Sequence, residues 1–274
     1  MPRVNLPFLD SLSPPMQALA ATVFTWSLTA LGASLVFFTR SVSNRLLNIA
    51  QGFAAGVMLA ASFWSLLAPA IEFAEKQGVP AWIPPAIGVL LGAAFVGLLD
   101  KVMPHLHPGL SRDEAEGPPA RWSQGALLLA AITLHNIPEG MAVGVSFGAA
   151  GANVEGATIG SALALALGIG LQNIPEGLAV ALPLRAAGLS RRRAFMFGQA
   201  SALVEPVGGF LGALFVGGAL PLLPYALSFA AGAMIFVVIE ELIPEAQRGG
   251  NADIATQATL LGFVAMMVLD VALG

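Results

Sequence analysis

Charged residues are scarce in this 274-residue chain, which has 12 Lys and Arg, 16 Asp and Glu, and 10% charge overall. A soluble globular domain carries about 25% charged residues, so this chain could not cover a water-exposed surface. The scarcity also excludes a disordered chain and a nucleic-acid binder, which needs a basic face. Cysteine is absent, which excludes disulfides and thiolate metal sites.

Apolar residues are abundant instead: 57% of the chain is hydrophobic and its mean hydropathy is +0.80. The apolar runs are long and unbroken, as in membrane-spanning helices, and lack the alternation of barrel strands. We therefore predict an all-α, polytopic membrane protein in a lipid bilayer, with residues 1–274 as one domain and 104–122 as its longest connection. Eight runs of about 20 residues are bounded by charge, Pro or Gly, near 16–39, 46–71, 82–103, 123–149, 157–184, 194–219, 222–245 and 254–273.

The basic residues predict how the helices are oriented. Ten of the 12 Lys and Arg fall in the connections after helices 1, 3, 5 and 7. Because cytosolic loops carry an excess of Lys and Arg, we predict that these connections, including 104–122, are cytosolic and that both termini lie outside the cytosol. The short connections favour a bacterial plasma (inner) membrane.

Two segments of the first half of the chain return in the second half. Phe53–Met58 reads FAAGVM and Phe229–Met234 reads FAAGAM, while 90–100 and 260–270 both begin LLG and end LD. Helices 1–3 thus match helices 6–8. Since five helices separate each matched pair, the two copies are predicted to run in opposite directions.

Helices 4 and 5 carry a third repeat. Leu134–Gly140 reads LHNIPEG and Leu171–Gly177 reads LQNIPEG, and neighbouring helices are antiparallel. The chain is therefore predicted to form a 3+2+3 inverted-repeat arrangement, which is typical of secondary transporters. Its parts are helices 1–3 at about 16–103, helices 4–5 at about 123–184 and helices 6–8 at about 194–273.

The repeated motif combines a helix breaker with polar side chains. Pro138 and Pro175 offer no N–H to the preceding turn, so each helix is expected to kink and to free a carbonyl, which is tolerated beside a cavity. His135 and Glu139 are four residues apart and share a helix face. Bringing the two kinks together would concentrate carboxylates, an imidazole and amides in one place.

Carboxylates buried together need a counter-charge, and the spans hold no Lys or Arg that could supply it. A divalent cation would supply it, and imidazole with oxygen ligands suits Zn²⁺, Fe²⁺, Mn²⁺ or Cd²⁺. A shared carboxylate could bridge two metals. The candidate ligands are His135, Asn136 and Glu139 in helix 4, Gln172, Asn173 and Glu176 in helix 5, and Glu205 in helix 6.

The two motifs, together with Gly52–Ser62, resemble the ZIP (Zrt/Irt-like) family of divalent metal transporters over almost the whole chain, and its GufA-type branch in particular. The resemblance implies a binuclear metal site between helices 4 and 5 and metal movement toward the cytosol. It also implies an elevator-type shift of helices 1, 4, 5 and 6 against helices 2, 3, 7 and 8, and a homodimer. It adds Met58 to the ligands.

On the cytosolic side the resemblance implies an exit path for the metal, and the metal is then the transported substrate and not a cofactor. Two residues depart from the family pattern: Gln172 stands where many members have His, and Asn173 where relatives have Asp. Both departures weaken the case for a second metal and for strict zinc selectivity. The exit-path residues are Asp100, His105, His107, Glu240 and Glu241.

Two other functions compete with metal transport. An intramembrane metal hydrolase would need an open-coordinated metal and a general base, but the chain has no H-E-x-x-H sequence and one His within its spans. A proton-coupled carrier of an organic solute would use the glutamates as a relay. The inverted repeat favours a transporter over an enzyme.

Overall fold

The computed structural model describes residues 11–39, 43–106, 112–152, 157–186 and 188–273. Within these ranges eight helices are long and apolar enough to cross a membrane. The prediction of an all-α membrane protein with eight spans is confirmed. The helices are α1 (Pro14–Phe37), α2 (Asn44–Lys76), α3 (Ile83–Val102), α4 (Gln124–Gly151), α5 (Ile159–Ala186), α6 (Arg191–Gly218), α7 (Leu220–Gln247) and α8 (Ala252–Leu273).

Two helix ends differ from the prediction because charged residues that end an apolar run continue the helix. α6 begins at Arg191 and not near 194, since the Ser190 hydroxyl caps it by accepting a hydrogen bond from the Arg193 N–H at 3.3 Å. α2 continues to Lys76 and not to 71, and Lys76 Nζ lies 2.7 Å from Glu72 Oε1 one turn earlier. Such pairs stabilise helices.

The helices pack as two groups. α1, α4, α5 and α6 form the first group, in which α1 packs on α5 and α4 packs on α6. α2, α3, α7 and α8 form the second group, in which α2 packs on α8 and α3 packs on α7. α4 and α5 are the most buried spans, and α3 and α8 are the most exposed. The polar motif therefore lies at the centre of the protein, while the inverted relation between repeats stays a prediction.

The glycines that end the two motifs allow neighbouring backbones to approach closely. A Cβ atom on Gly177 would lie 2.0 Å from the Thr29 carbonyl oxygen of α1. A Cβ atom on Gly140 would lie 2.6 Å from the Glu205 carbonyl oxygen of α6. Both positions therefore require glycine, and the first group is packed backbone against backbone around the motifs.

A π-helical turn interrupts both α2 and α7. The turns are Ser62–Leu67 and Val238–Leu242, and each begins nine residues after the phenylalanine of the repeated segment, Phe53 or Phe229. Neither segment carries a residue pattern that predicts a π turn. Such turns occur frequently at functional sites, and both lie in helices that pack against the motif helices α4 and α5. α4 and α5 themselves continue as helix through Pro138 and Pro175.

Candidate metal site

The predicted ligands of the centre, which we call the central site, are all buried inside the spans. None of their side chains is more than 8% exposed. Charged and amide side chains are rarely buried to this extent unless they are paired or bind a metal. The residues are Met58, His135, Asn136, Glu139, Gln172, Asn173, Glu176 and Glu205.

Two amides of α5 each donate a hydrogen bond to a carboxylate of a neighbouring helix. Gln172 Nε2 donates to Glu139 Oε1 of α4 at 2.5 Å, and Asn173 Nδ2 donates to Glu205 Oε1 of α6 at 2.9 Å. The central site therefore contains two amide–carboxylate pairs side by side. Each amide places a partial positive charge where a cation could otherwise bind.

Several oxygen atoms of the central site are buried without a hydrogen-bond partner among the described residues. Leaving a buried polar atom unpaired costs about 1–3 kcal/mol, and most buried polar atoms are paired. Buried carboxylate and amide oxygens match the ligand preference of a divalent cation. They are Oδ1 of Asn136, Oε2 of Glu139, Oε1 of Gln172, Oδ1 of Asn173 and Oε2 of Glu176.

The charged ligands of the central site are more widely spaced than the coordination sphere of one ion. Among the described His, Asp and Glu residues, three ligand atoms lie within 4.8 Å of one another only at Asp100, His105 and Glu116. A cation in the central site therefore needs amide oxygens to complete its coordination. Rotating the Gln172 amide by half a turn would present its unpaired Oε1 to the cation.

His135 connects the central site to α7. Its Nε2 atom contacts Glu241 Oε2, which belongs to the π turn of α7. A narrow cavity beside this contact is lined by His135, Glu176 and Glu245, among others. Met58 is fully buried in α2, and its role as a ligand stays a prediction.

Further acidic residues continue from this cavity toward the C-terminal end of α7. A second cavity of about 150 Å³ is lined by Glu116, Glu240, Glu241, Glu245 and Arg248. Glu245 lines both cavities. We call the four carboxylates that line this second cavity, Glu116, Glu240, Glu241 and Glu245, the acidic route. The sequence analysis placed Glu240 and Glu241 on the exit path but not Glu245, since an acidic residue at the end of a helix is commonly solvated.

Asp100 and His105, also predicted for the exit path, lie together near the start of the long loop. His105 Nε2 is 3.0 Å from Asp100 Oδ1, and its Nδ1 is 2.8 Å from the Met103 carbonyl oxygen. Since a carbonyl only accepts, Nδ1 carries a hydrogen and donates it to Met103, as the non-ligating ring nitrogen does in many metal-binding histidines.

A backbone bridge explains why Glu116 joins this cluster although the sequence did not predict it. The His105 N–H donates to the Glu116 carbonyl at 3.1 Å, and the Glu116 N–H donates to the His105 carbonyl at 2.9 Å. Such a pairing between distant loop residues has no signature in the sequence. His107 lies outside the described residues.

A cavity of about 680 Å³ is lined by residues of α4 and α6 on one side and of α3 and α7 on the other. Its lining is apolar and includes Leu91 of α3, Val207 of α6 and Ala226 of α7. We call it the cleft. It lies between the two packing groups, and none of its lining residues is His, Asp or Glu.

Eight spans around a buried set of carboxylate, imidazole and amide side chains define a polytopic membrane protein with a cluster of potential metal ligands within its spans. The chain matches the family model for the ZIP Zinc transporter over residues 16–124 and 113–270, and it belongs to this family. Its resemblance to the family, inferred from the two motifs, is thereby confirmed.

Curated relatives cover nearly the whole chain. The zinc transporter ZIP11 of Bos taurus is 47% identical over 97% of this chain and all of its own length, and that of Homo sapiens is 45% identical with the same coverage. The zinc transporter GufA of Myxococcus xanthus is 41% identical over 93% of this chain and 98% of its own length. These relatives are named as transporters and not as enzymes.

Proposed function

We propose that this protein transports divalent metal cations across a membrane toward the cytosol, with Zn²⁺ as its main substrate and Cd²⁺, Fe²⁺ and Mn²⁺ as further candidates. The observation that carries the proposal is the set of buried, unpaired oxygen atoms from α4 and α5 inside the spans. A passing cation would satisfy these oxygens and neutralise the carboxylates. The names of the relatives support zinc.

The two amide–carboxylate pairs suggest two metal positions between α4 and α5. The first position surrounds Glu139, and the second surrounds Glu205. Glu139, whose Oε2 is unpaired, could bridge them. The first position would use His135, Glu139, Gln172, Glu176 and Met58, and the second would use Asn136, Asn173 and Glu205.

The acidic route supports movement toward the cytosol. It begins beside Glu176 and ends at the C-terminal end of α7, which the distribution of Lys and Arg predicts to be cytosolic. Successive carboxylates would let a cation leave the central site stepwise, never far from a counter-charge. The proposed exit residues are Asp100, His105, Glu116, Glu240, Glu241 and Glu245.

An elevator-type alternating-access mechanism fits the division into two packing groups. The group of α1, α4, α5 and α6 carries seven of the eight proposed ligands and would move against the group of α2, α3, α7 and α8, with the cleft leaving room between them. The homodimer, the external termini and the bacterial plasma membrane belong to the same proposal. Relatives occur in animals as well as bacteria.

Transport explains the site better than the two competing functions. A hydrolase needs a fixed metal with an open position and a general base, whereas here the acidic route leads away from the ligands. A proton-coupled carrier of organic solutes could use the carboxylates as a proton relay, but the curated relatives are named as zinc transporters. The metal is therefore the substrate and not a resident cofactor.

The proposal is tested by measuring Zn²⁺ and Cd²⁺ flux into liposomes that contain the purified protein. Glu176→Ala removes a carboxylate beside the start of the acidic route and is expected to abolish flux. Glu72→Ala is the matched control, because Glu72 is exposed and pairs with Lys76 on the surface of α2. Undiminished flux in Glu176→Ala would contradict the proposed site.

A further inference from the structure

The carboxylate of Glu205 differs from the other carboxylates of the central site because both of its oxygens accept hydrogen bonds. Asn173 Nδ2 donates to Oε1 at 2.9 Å, and the hydroxyl of Thr25, on α1, donates to Oε2. Glu139 and Glu176 each retain an Oε2 without a partner among the described residues. In Glu205, therefore, both oxygens that could bind a cation already accept a hydrogen bond.

The position of Thr25 is fixed by close packing of α1 on α5. A Cβ atom on Gly32 would lie 1.8 Å from the Ile174 carbonyl oxygen, so the two backbones are in direct contact next to the motif. Asn173 Nδ2 also donates to the Thr25 carbonyl at 3.2 Å. Thr25, Asn173 and Glu205 thus form a closed triangle of hydrogen bonds between α1, α5 and α6.

The Thr25 hydroxyl has one hydrogen but two acceptors within reach. Besides Glu205, its Oγ1 lies 3.0 Å from the Thr22 carbonyl oxygen of the preceding turn. If a cation takes the carboxylate, the hydroxyl can donate to Thr22 alone and no donor is left unsatisfied. The bond from Thr25 to Glu205 can therefore be released without leaving an unpaired group in the protein interior.

We propose that Thr25 is a positioning residue that keeps the second metal position closed by holding Glu205, so that the two positions fill unequally. The inference rests on the proposed function, since it assigns an order to the two metal positions. A cation at Glu205 must displace the Asn173 N–H and the Thr25 O–H, whose hydrogens are partially positive and therefore repel the cation. At Glu139 and Glu176 each Oε2 has no hydrogen-bond partner among the described residues, so a cation binds there first.

The test is a calorimetric titration of the purified full chain in lipid nanodiscs with Cd²⁺ as the probe. The wild type is expected to show one tight and one weak step. Thr25→Val removes the hydroxyl at nearly constant shape and is expected to lower the Kd of the second step about tenfold, the scale of a hydrogen bond to a charged group, while the first step is unchanged.

Two variants on α1 are matched controls. Thr25→Ser keeps the hydroxyl and is expected to restore the wild-type second step, which loss of packing alone would not predict. Thr29→Val lies one turn further along, at a fully buried threonine whose Oγ1 has no hydrogen-bond partner among the described residues, and should bind as the wild type does. Thr25→Ala removes the same hydroxyl and is measured alongside in case Thr25→Val does not fold.

The outcomes separate this inference from the proposed function. If Thr25→Val and Thr25→Ala both keep the wild-type second step, or if the wild type fills both positions with equal affinity, Thr25 does not control the second position and the inference is overturned. If the wild type binds no Cd²⁺, the proposed function itself is overturned, and the inference with it. Glu176→Ala should remove the first step whatever residue occupies position 25.

Discussion

At the scale of single residues, the ligand types of the central site could be predicted but their pairing could not. Neighbouring residues on a helix point about 100° apart, so Gln172 and Asn173 necessarily reach different helices. Which helix each one reaches depends on how α4, α5 and α6 are rotated against one another, and the repeated motif does not encode that. Thr25 was not predicted for a related reason, since the hydroxyl of a threonine in an apolar span normally donates to a carbonyl of its own helix.

Gln172 gives a direct test of how the amide limits metal binding. Gln172→His replaces a neutral amide oxygen by an imidazole nitrogen, which is a better ligand for Zn²⁺, and it removes the amide donor from Glu139. We expect the KM for Zn²⁺ uptake into liposomes to fall several-fold. Gln77→His, at an exposed position after α2, is the control, and an unchanged KM in Gln172→His would place residue 172 outside the binding site.

At the scale of helices, the number of spans followed from the sequence because each crossing needs about 20 apolar residues. The C-terminal end of α2 and the N-terminal end of α6 could not be predicted from hydropathy, because both helices extend beyond their apolar runs through charged residues such as Glu72 and Arg191. The π turns were also missed, since Ser62–Leu67 and Val238–Leu242 share no residue pattern that marks a π turn. Hydropathy thus locates a helix in the membrane but says little about its internal geometry.

The contact between α1 and α5 predicts a strong effect of one added methyl group. In Gly177→Ala the new Cβ would lie 2.0 Å from the Thr29 carbonyl oxygen, and backbone cannot move aside cheaply. We expect a loss of about 1–3 kcal/mol in stability, seen as a lower Tm, together with reduced Zn²⁺ flux. Gly217→Ala in α6 is the control, because its Cβ would meet no atom within 4 Å. Equal Tm values for the two variants would contradict this packing argument.

At the scale of the whole molecule, the two packing groups and the cleft between them arise from contacts that are distant in sequence. α1 packs on α5, and α2 packs on α8. The repeats indicated which helices correspond but not which ones touch. The family resemblance had implied the same two groups, helices 1, 4, 5 and 6 and helices 2, 3, 7 and 8, whereas the contacts that hold each group together are seen only in the structure.

The proposed movement of one group against the other can be tested with introduced cysteines, because the chain has none of its own. Leu91→Cys with Val207→Cys joins α3 to α6 across the cleft. Leu91→Cys with Ala226→Cys joins α3 to α7 within one group. After treatment with an apolar bifunctional thiol reagent, we expect Zn²⁺ uptake to stop in the first pair and to continue in the second. Continued uptake through a fully cross-linked first pair would argue against an elevator.

The two π turns have a consequence for how the helices are aimed. A π turn holds one residue more than the α-helical turn it replaces, and one residue corresponds to a rotation of about 100° around the helix axis. In α2 and in α7, the residues after the turn are therefore rotated about the helix axis relative to the residues before it, so that each helix presents two differently oriented faces. The depth at which a side chain sits in the bilayer and the direction in which it points are thereby set independently.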